Sequence, residues 1–260
     1  MNRRLFLGTL GAAGAAVQAG WGQTTGGSKS RIFIQQNYVL KIGTQGARLN
    51  EYLSKTYLPA LAKVHTGPTL VLNASLAAHL PQVAVLTGYQ SVDEAWAVRA
   101  KLAADKELEA ATDAWESAQE PPFENIDSAL LENGDYVPPL TALNPPPKAP
   151  RVFEMRIYHA PTWRHMRGLQ WRFSEGEMTI LAKCGAAPVL FATTVIGQDT
   201  PNLTWITAFE DEAARDKAWA AFGADPDWQK LSQESNKRYG PNPTVRQIRL
   251  YRSTAYSPIL

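Results

Sequence analysis

The second half of the chain carries the clearest alternation of apolar and polar positions. Arg151–His159 alternates with a period of two between Pro150 and Pro161, which predicts a strand. From about Arg164 to Lys183 the apolar residues Met166, Leu169, Phe173, Ile180 and Cys184 recur at helical spacing, and Gly185 stands where such a helix ends. Val189–Ile196 and Thr204–Phe209 read as strands flanking a polar turn from Gly197 to Asn202. Asp211 is placed to cap a helix running to about Phe222, and Asp225-Pro226 starts a short further one carrying Trp228. A last strand lies near Arg246–Arg252. The order is βαββαβ, the split ferredoxin-like unit.

The same series stands earlier in the chain at a constant offset of 120 positions. Phe33 matches Phe153, Tyr38 matches Tyr158, and Leu61-Ala62-Lys63 matches Leu181-Ala182-Lys183. Pro68, Pro81 and Thr87 match Pro188, Pro201 and Thr207, and Ala104-Asp105 matches Ala224-Asp225. Repetition without a gap over this span reads as a tandem duplication. The units span 31–133, with Ser91 as a helix cap, and 151–255. Residues 134–150 hold six prolines and read as a semi-rigid linker. The expected fold class is α+β: two tandem ferredoxin-like units, each with helices on one face of its sheet. The bare faces would cover each other in a pseudo-dimeric α/β barrel. In the strand after Arg151, Phe153, Met155 and Ile157 are expected to meet the helices, and Glu154, Arg156 and Tyr158 to face what the two sheets enclose.

Composition narrows the class. The chain has 260 residues, 45% hydrophobic and 19% charged, which excludes a mainly disordered or fibrous protein. Its single cysteine, Cys184, excludes an internal disulfide and a cysteine-based zinc site, and on the helix stripe it is expected to be buried and inert. Residues 1–19 have a charged start, a short Gly/Ala-rich apolar run and small residues at Val17 and Ala19, the pattern of a cleavable export signal. Arg3-Arg4-Leu5-Phe6-Leu7 resembles the twin-arginine form, so a periplasmic or otherwise exported protein is expected. Without Arg3 and Arg4, 24 basic residues face 24 acidic ones. A neutral domain lacks the basic footprint of a nucleic-acid partner. No membrane span is expected in the mature chain.

Several segments, taken in order, resemble the NIPSNAP family, in particular exported bacterial members with two tandem copies. They are Phe153-Glu154-Met155-Arg156-Ile157-Tyr158, Phe173-Ser174-Glu175-Gly176-Glu177, Asn202-Leu203-Thr204-Trp205, Ala213 to Trp219, and Ala224-Asp225-Pro226-Asp227-Trp228. The resemblance covers residues 31–255. The first copy departs from it, with Ile34-Gln35-Gln36 in place of Glu154-Met155-Arg156 and Tyr57 in place of Glu177. The resemblance implies a dimeric α/β-barrel fold and no settled reaction. Oxygenases and haem enzymes share related barrels, but a fold does not specify a function.

The candidate chemistry lies in the second copy. Glu177 falls inside the apolar stripe of its helix, where a carboxylate must be paired or protonated. Arg156 or His159 is the expected partner. Glu177 and Arg156 are the candidate catalytic pair, and Glu154, Tyr158 and His159 the candidate ligand-binding residues. The plainer reading of the same residues is a buried ion-pair network that docks the copies. His159 and His165, with Glu175 or Glu177, match no standard metal spacing, so no metal site is assigned and the cofactor is left unknown. Five tryptophans fall in this copy, mostly as core filling. Trp171 lies off the apolar stripe and suggests a contact between copies of the chain. No nucleophile triad, phosphate-binding loop or dinucleotide fingerprint is present. The functional expectation is a small-molecule or partner-binding protein with a polar pocket in the second copy. The alternatives are an oxygenase- or isomerase-type enzyme using that pocket, cofactor-free or haem-dependent, and a structural or assembly protein.

Overall fold

A computed structural model describes residues 29–137, 139–140, 147, 149–241 and 246–259. The expected export signal and much of the expected linker lie outside these residues. Eight strands are present among them: β1 (Ile32–Val39), β2 (Thr69–Leu76), β3 (Gln82–Tyr89), β4 (Asn125–Asn133), β5 (Val152–His159), β6 (Ala187–Ile196), β7 (Asn202–Phe209) and β8 (Arg246–Ser253). They close into an antiparallel barrel in the order β1-β3-β2-β8-β5-β7-β6-β4. The two halves of the chain meet at two seams, β2 with β8 and β4 with β6, and each seam carries a register shift.

The helices lie outside the barrel. In the first half α1 (Gln45–Tyr52), a π-turn (Leu53–Tyr57) and α2 (Leu58–Val64) follow β1, and α3 (Val92–Ala103) and α4 (Lys106–Glu116) follow β3. In the second half α5 (Trp163–Arg172), a π-turn (Phe173–Glu177) and α6 (Met178–Lys183) follow β5. After β7 come α7 (Glu212–Ala224) and α8 (Pro226–Tyr239). The expected caps are used: the Ser91 hydroxyl accepts from the Glu94 amide at 3.1 Å, and the Asp211 carboxylate from the Ala214 amide at 2.7 Å. Two elements differ from expectation. The helix predicted over 164–183 is broken at its π-turn, where Gly176 adopts φ +147°, a conformation closed to an ordinary helix. The helix after Asp225 runs for 14 residues, because Asp225 and Pro226 start it well and Gly240 ends it.

The barrel interior is filled by apolar side chains from all eight strands, among them Phe33, Leu72, Leu86, Leu131, Phe153, Met155, Ile206 and Tyr251. Each fully buried side chain of this size contributes about 1.5–3 kcal/mol through its removal from water. Two further apolar clusters join the outer faces of the sheets to the helices of their own half. This assignment reverses the expected faces of β5. Phe153 and Met155 point into the barrel, and Tyr158 packs in the helix-side cluster with Trp205, Phe173 and Trp219. Both faces of the strand are largely buried, one apolar and the other carrying Glu154 and Arg156, so its alternation has a period but no sign. The sign comes from α7, whose Arg215 and Trp219 supply partners for Glu154. The start of the expected linker also packs: Val137 is buried, and the Tyr136 ring lies 6.5 Å from that of Phe173.

Candidate functional site

The expected site residues of the second half divide into two groups on opposite faces of the barrel wall. On the helix side, Glu154 is fully buried and both its oxygens are used. One accepts from Arg156, the other from Arg215 and, at 3.1 Å, from the Trp219 indole. The Arg156 guanidinium also donates to the Tyr158 hydroxyl at 3.2 Å and lies 3.7 Å from the Trp219 ring centre. Burial alone would lower Arg156, but Tyr158 and Glu154 hold it above its ordinary value.

Glu177 is 2% exposed, and its partner is Arg172, with Nε to Oε2 at 3.2 Å. This corrects the expectation of Arg156 or His159 as the partner. The π-turn brings residues five apart onto one face, a spacing that the plain helical wheel does not pair. Burial pushes the Glu177 carboxyl up to about 7 against the opposing pull of Arg172 and, more weakly, Arg156. His159 does not join this cluster, because its strand position turns it into the barrel. His165 stands at the start of α5, where its Nδ1 lies 2.8 Å from the capping hydroxyl of Thr162. The two histidines are therefore on separate faces, and no metal-holding group of three His, Cys, Asp or Glu side chains occurs among the described residues. Trp171 packs within the chain, 6.0 Å from the Tyr239 ring and 4.7 Å from the Arg238 guanidinium. Cys184 is half-buried rather than buried, and burial raises its thiol.

Positions 120 residues earlier form a cleft instead. It has a volume of about 630 Å³ and lies between the outer face of β1 and β4, the π-turn, and α3 and α4. Most charged or bulky groups of the second-half cluster have a smaller or uncharged counterpart in the lining. Ile34 stands for Glu154, Gln36 for Arg156, Ala95 for Arg215, and Leu108 for Trp228. The Arg172–Glu177 ion pair becomes Tyr52 and Tyr57, whose rings stack at 6.5 Å across the first π-turn. Arg99 replaces Trp219, so the cation moves from the strand to the helix. Tyr52 is fixed by Trp115, with ring centres 4.1 Å apart and 3° between planes, and by the Thr112 hydroxyl at 2.8 Å. Burial raises the phenols of Tyr57 and Tyr89, so both stay protonated donors at neutral pH. Sequence reasoning passed over these residues. The signal was the offset itself, which sets Ala95 against Arg215 and Leu108 against Trp228.

Among the described residues no helix is long and apolar enough to cross a membrane. The fold is shared with solved structures at low identity. A putative monooxygenase from Lactobacillus acidophilus is 10% identical, with a TM-score of 0.55 over 89% of this chain and 98% of its own. An anthrone oxidase-like protein is 11% identical, with a TM-score of 0.50 over 87% of this chain and 92% of its own. A NIPSNAP-like domain protein from Burkholderia xenovorans is 22% identical over 42% of this chain and 90% of its own, with a TM-score of 0.37. No curated protein matches the sequence. The NIPSNAP family model matches residues 153–258, which include Glu154, Arg156, Glu177 and Trp219. The second half of the chain thus carries a NIPSNAP domain.

Proposed function

We propose that this protein binds a small, largely aromatic or apolar molecule, and that the ligand sits in the first-half cleft rather than among Glu154, Arg156 and Glu177. The carrying observation is the paired geometry at one offset. Where the second half fills the space between sheet and helices with charges that satisfy one another, the first half leaves about 630 Å³ lined by tyrosines. That volume suits a drug-sized ligand, and apolar walls with a few polar groups are the usual make-up of such sites. Arg99 and the protonated Tyr57 and Tyr89 hydroxyls would orient its polar end. The tandem ferredoxin-like reading belongs to the same proposal, with divergence of one copy opening the site while the NIPSNAP-type copy stays closed.

The test is native mass spectrometry of protein purified from its own cells, together with binding of 1-anilinonaphthalene-8-sulfonate. Wild-type protein is expected to carry or take up one ligand, and Ala95→Trp, which fills the cleft, to lose it at least tenfold. A clean apo mass together with unaltered dye affinity in Ala95→Trp would rule the cleft out. Export belongs to this reading too. The mature chain is expected to begin at Gly20, which N-terminal sequencing of the processed protein checks.

A second reading, an oxygenase- or isomerase-type enzyme, draws on one observation: a buried carboxyl held near 7 is suited to proton transfer. The likeness to a putative monooxygenase and an anthrone oxidase-like protein supports the barrel and leaves the chemistry open. On this reading Glu177→Gln abolishes turnover and spares binding; a fully active variant removes Glu177 as the acid/base.

A further inference from the structure

We propose a second binding site, independent of the cleft: a small-oxyanion site at one end of the barrel interior, held by Arg249 and His159. The inward faces of several strands become more polar towards this end. Phe33 is followed on that face by Gln35 and Asn37, Met155 by Ile157 and His159, and Tyr251 is preceded by Arg249 and Gln247. These side chains enclose a cavity of about 70 Å³, to which both halves of the chain contribute. A water molecule takes about 30 Å³ of liquid volume, so the space suits acetate, phosphate or two waters.

Most polar groups around the cavity are satisfied. Gln35 donates to Asn37 at 3.1 Å, and Asn202 donates to the Gln198 and Asp199 carbonyls and accepts from Thr194. Two nitrogens are left over. Arg249 donates from Nη2 to Gln247 at 3.0 Å, but its Nε is buried without a partner, as is Nε2 of His159. The Tyr251 hydroxyl, one layer further in, faces Arg249, whose charge and hydrogen bonding oppose the upward push of burial. Asp127 and Asp199 border the cavity with exposed side chains, and the acceptor that Arg249 uses is Gln247. A guanidinium in a confined space with no carboxylate partner among the described residues is complementary to an oxyanion. His159 would donate from Nε2 in the tautomer that the anion selects. At the position of Arg249 the first half has Ala129, which lines the same cavity and leaves it open.

The experiment is an NMR titration of the full chain with acetate and, separately, inorganic phosphate, following the Arg249 Nε–H and His159 ring signals. A saturable shift of these two signals by either anion is expected, with Arg249→Gln weakening binding at least tenfold and Ala95→Trp leaving it unchanged. Response to acetate alone assigns a carboxylate-bearing ligand, and response to phosphate alone an inorganic oxyanion. Should Arg249→Gln not fold, Arg249→Lys and His159→Phe carry the same expectation of weaker binding. No saturable shift up to about 50 mM of either anion, weaker than any useful affinity, overturns the site and leaves a water-filled cavity. So does a shift that survives all these substitutions. Loss of the first-half ligand with this titration intact would disprove the cleft and not this site.

Discussion

Glu154 is the residue on which the second-half cluster turns, since it pairs with two guanidinium groups. Replacing it with isoleucine, the first-half residue, leaves Arg156 without a carboxylate and Arg215 with Asp216 alone, and is expected to cost about 3–5 kcal/mol in urea unfolding. The triple change Glu154→Ile, Arg156→Gln and Arg215→Ala removes the stranded charges with their partner. It should recover much of that loss, a non-additivity that a double-mutant-type cycle reads directly. Glu177 makes a different prediction. Its folded carboxyl titrates near 7, above the ordinary value of 4.5, so the folded chain holds an extra proton between these values. This group's contribution to stability is therefore full below about 4.5, falls as pH rises to about 7, and is flat beyond; the total is on the order of a few kcal/mol. Unfolding of Glu177→Gln between pH 5 and 8 should lack this slope. An unchanged slope would show that the carboxyl is ionised throughout.

The π-turns explain why neighbouring residues in space were hard to read from the chain. Arg172 and Glu177, like Tyr52 and Tyr57, are five apart, and each pair meets only because its turn holds one residue more than a helix does. Strands and caps were legible, since alternation and Ser91 or Asp211 act locally. Burial of Glu177 was legible too, from its place on the apolar stripe. Its partner was not, because a helical wheel assumes the period that this segment breaks. Nor was the facing of Glu154, Arg156 and Tyr158, since a strand buried on both sides takes its orientation from the helix that lands on it. In the second turn Gly176 bears the special conformation, at φ +147°, and an added Cβ would meet only Leu231 at 3.9 Å. Gly176→Ala should thus cost about 1–2 kcal/mol through backbone strain alone, measured by thermal or urea unfolding. A neutral substitution would mean that the turn relaxes to an ordinary helix, and the Arg172–Glu177 pair should then part.

At the scale of the molecule, the two halves share one interior, so they should unfold together. Leu72 lies in the first half and is completely buried in the shared cluster. Leu72→Ala is expected to lower stability by about 2–5 kcal/mol and to shift the signals of Trp115 and Trp205, one in each half, to the same new midpoint. Two separated transitions would show that each half stands alone. The 120-residue offset made this architecture legible in outline, but the polar end of the barrel was not, because it is assembled from residues such as Gln35 and Arg249 that no local pattern connects. The ring of strands has one more effect. Every strand described has a hydrogen-bonded neighbour on both sides over part of its length, and unpaired edge is left only in short staggered stretches at the two seams, such as residues 125–129 of β4 and 246–249 of β8. Among the described residues, recruitment of a partner peptide by strand addition, and amyloid-like stacking of the folded protein, are confined to these short stretches. Any larger contact surface among the described residues is made of side chains on helices and loops.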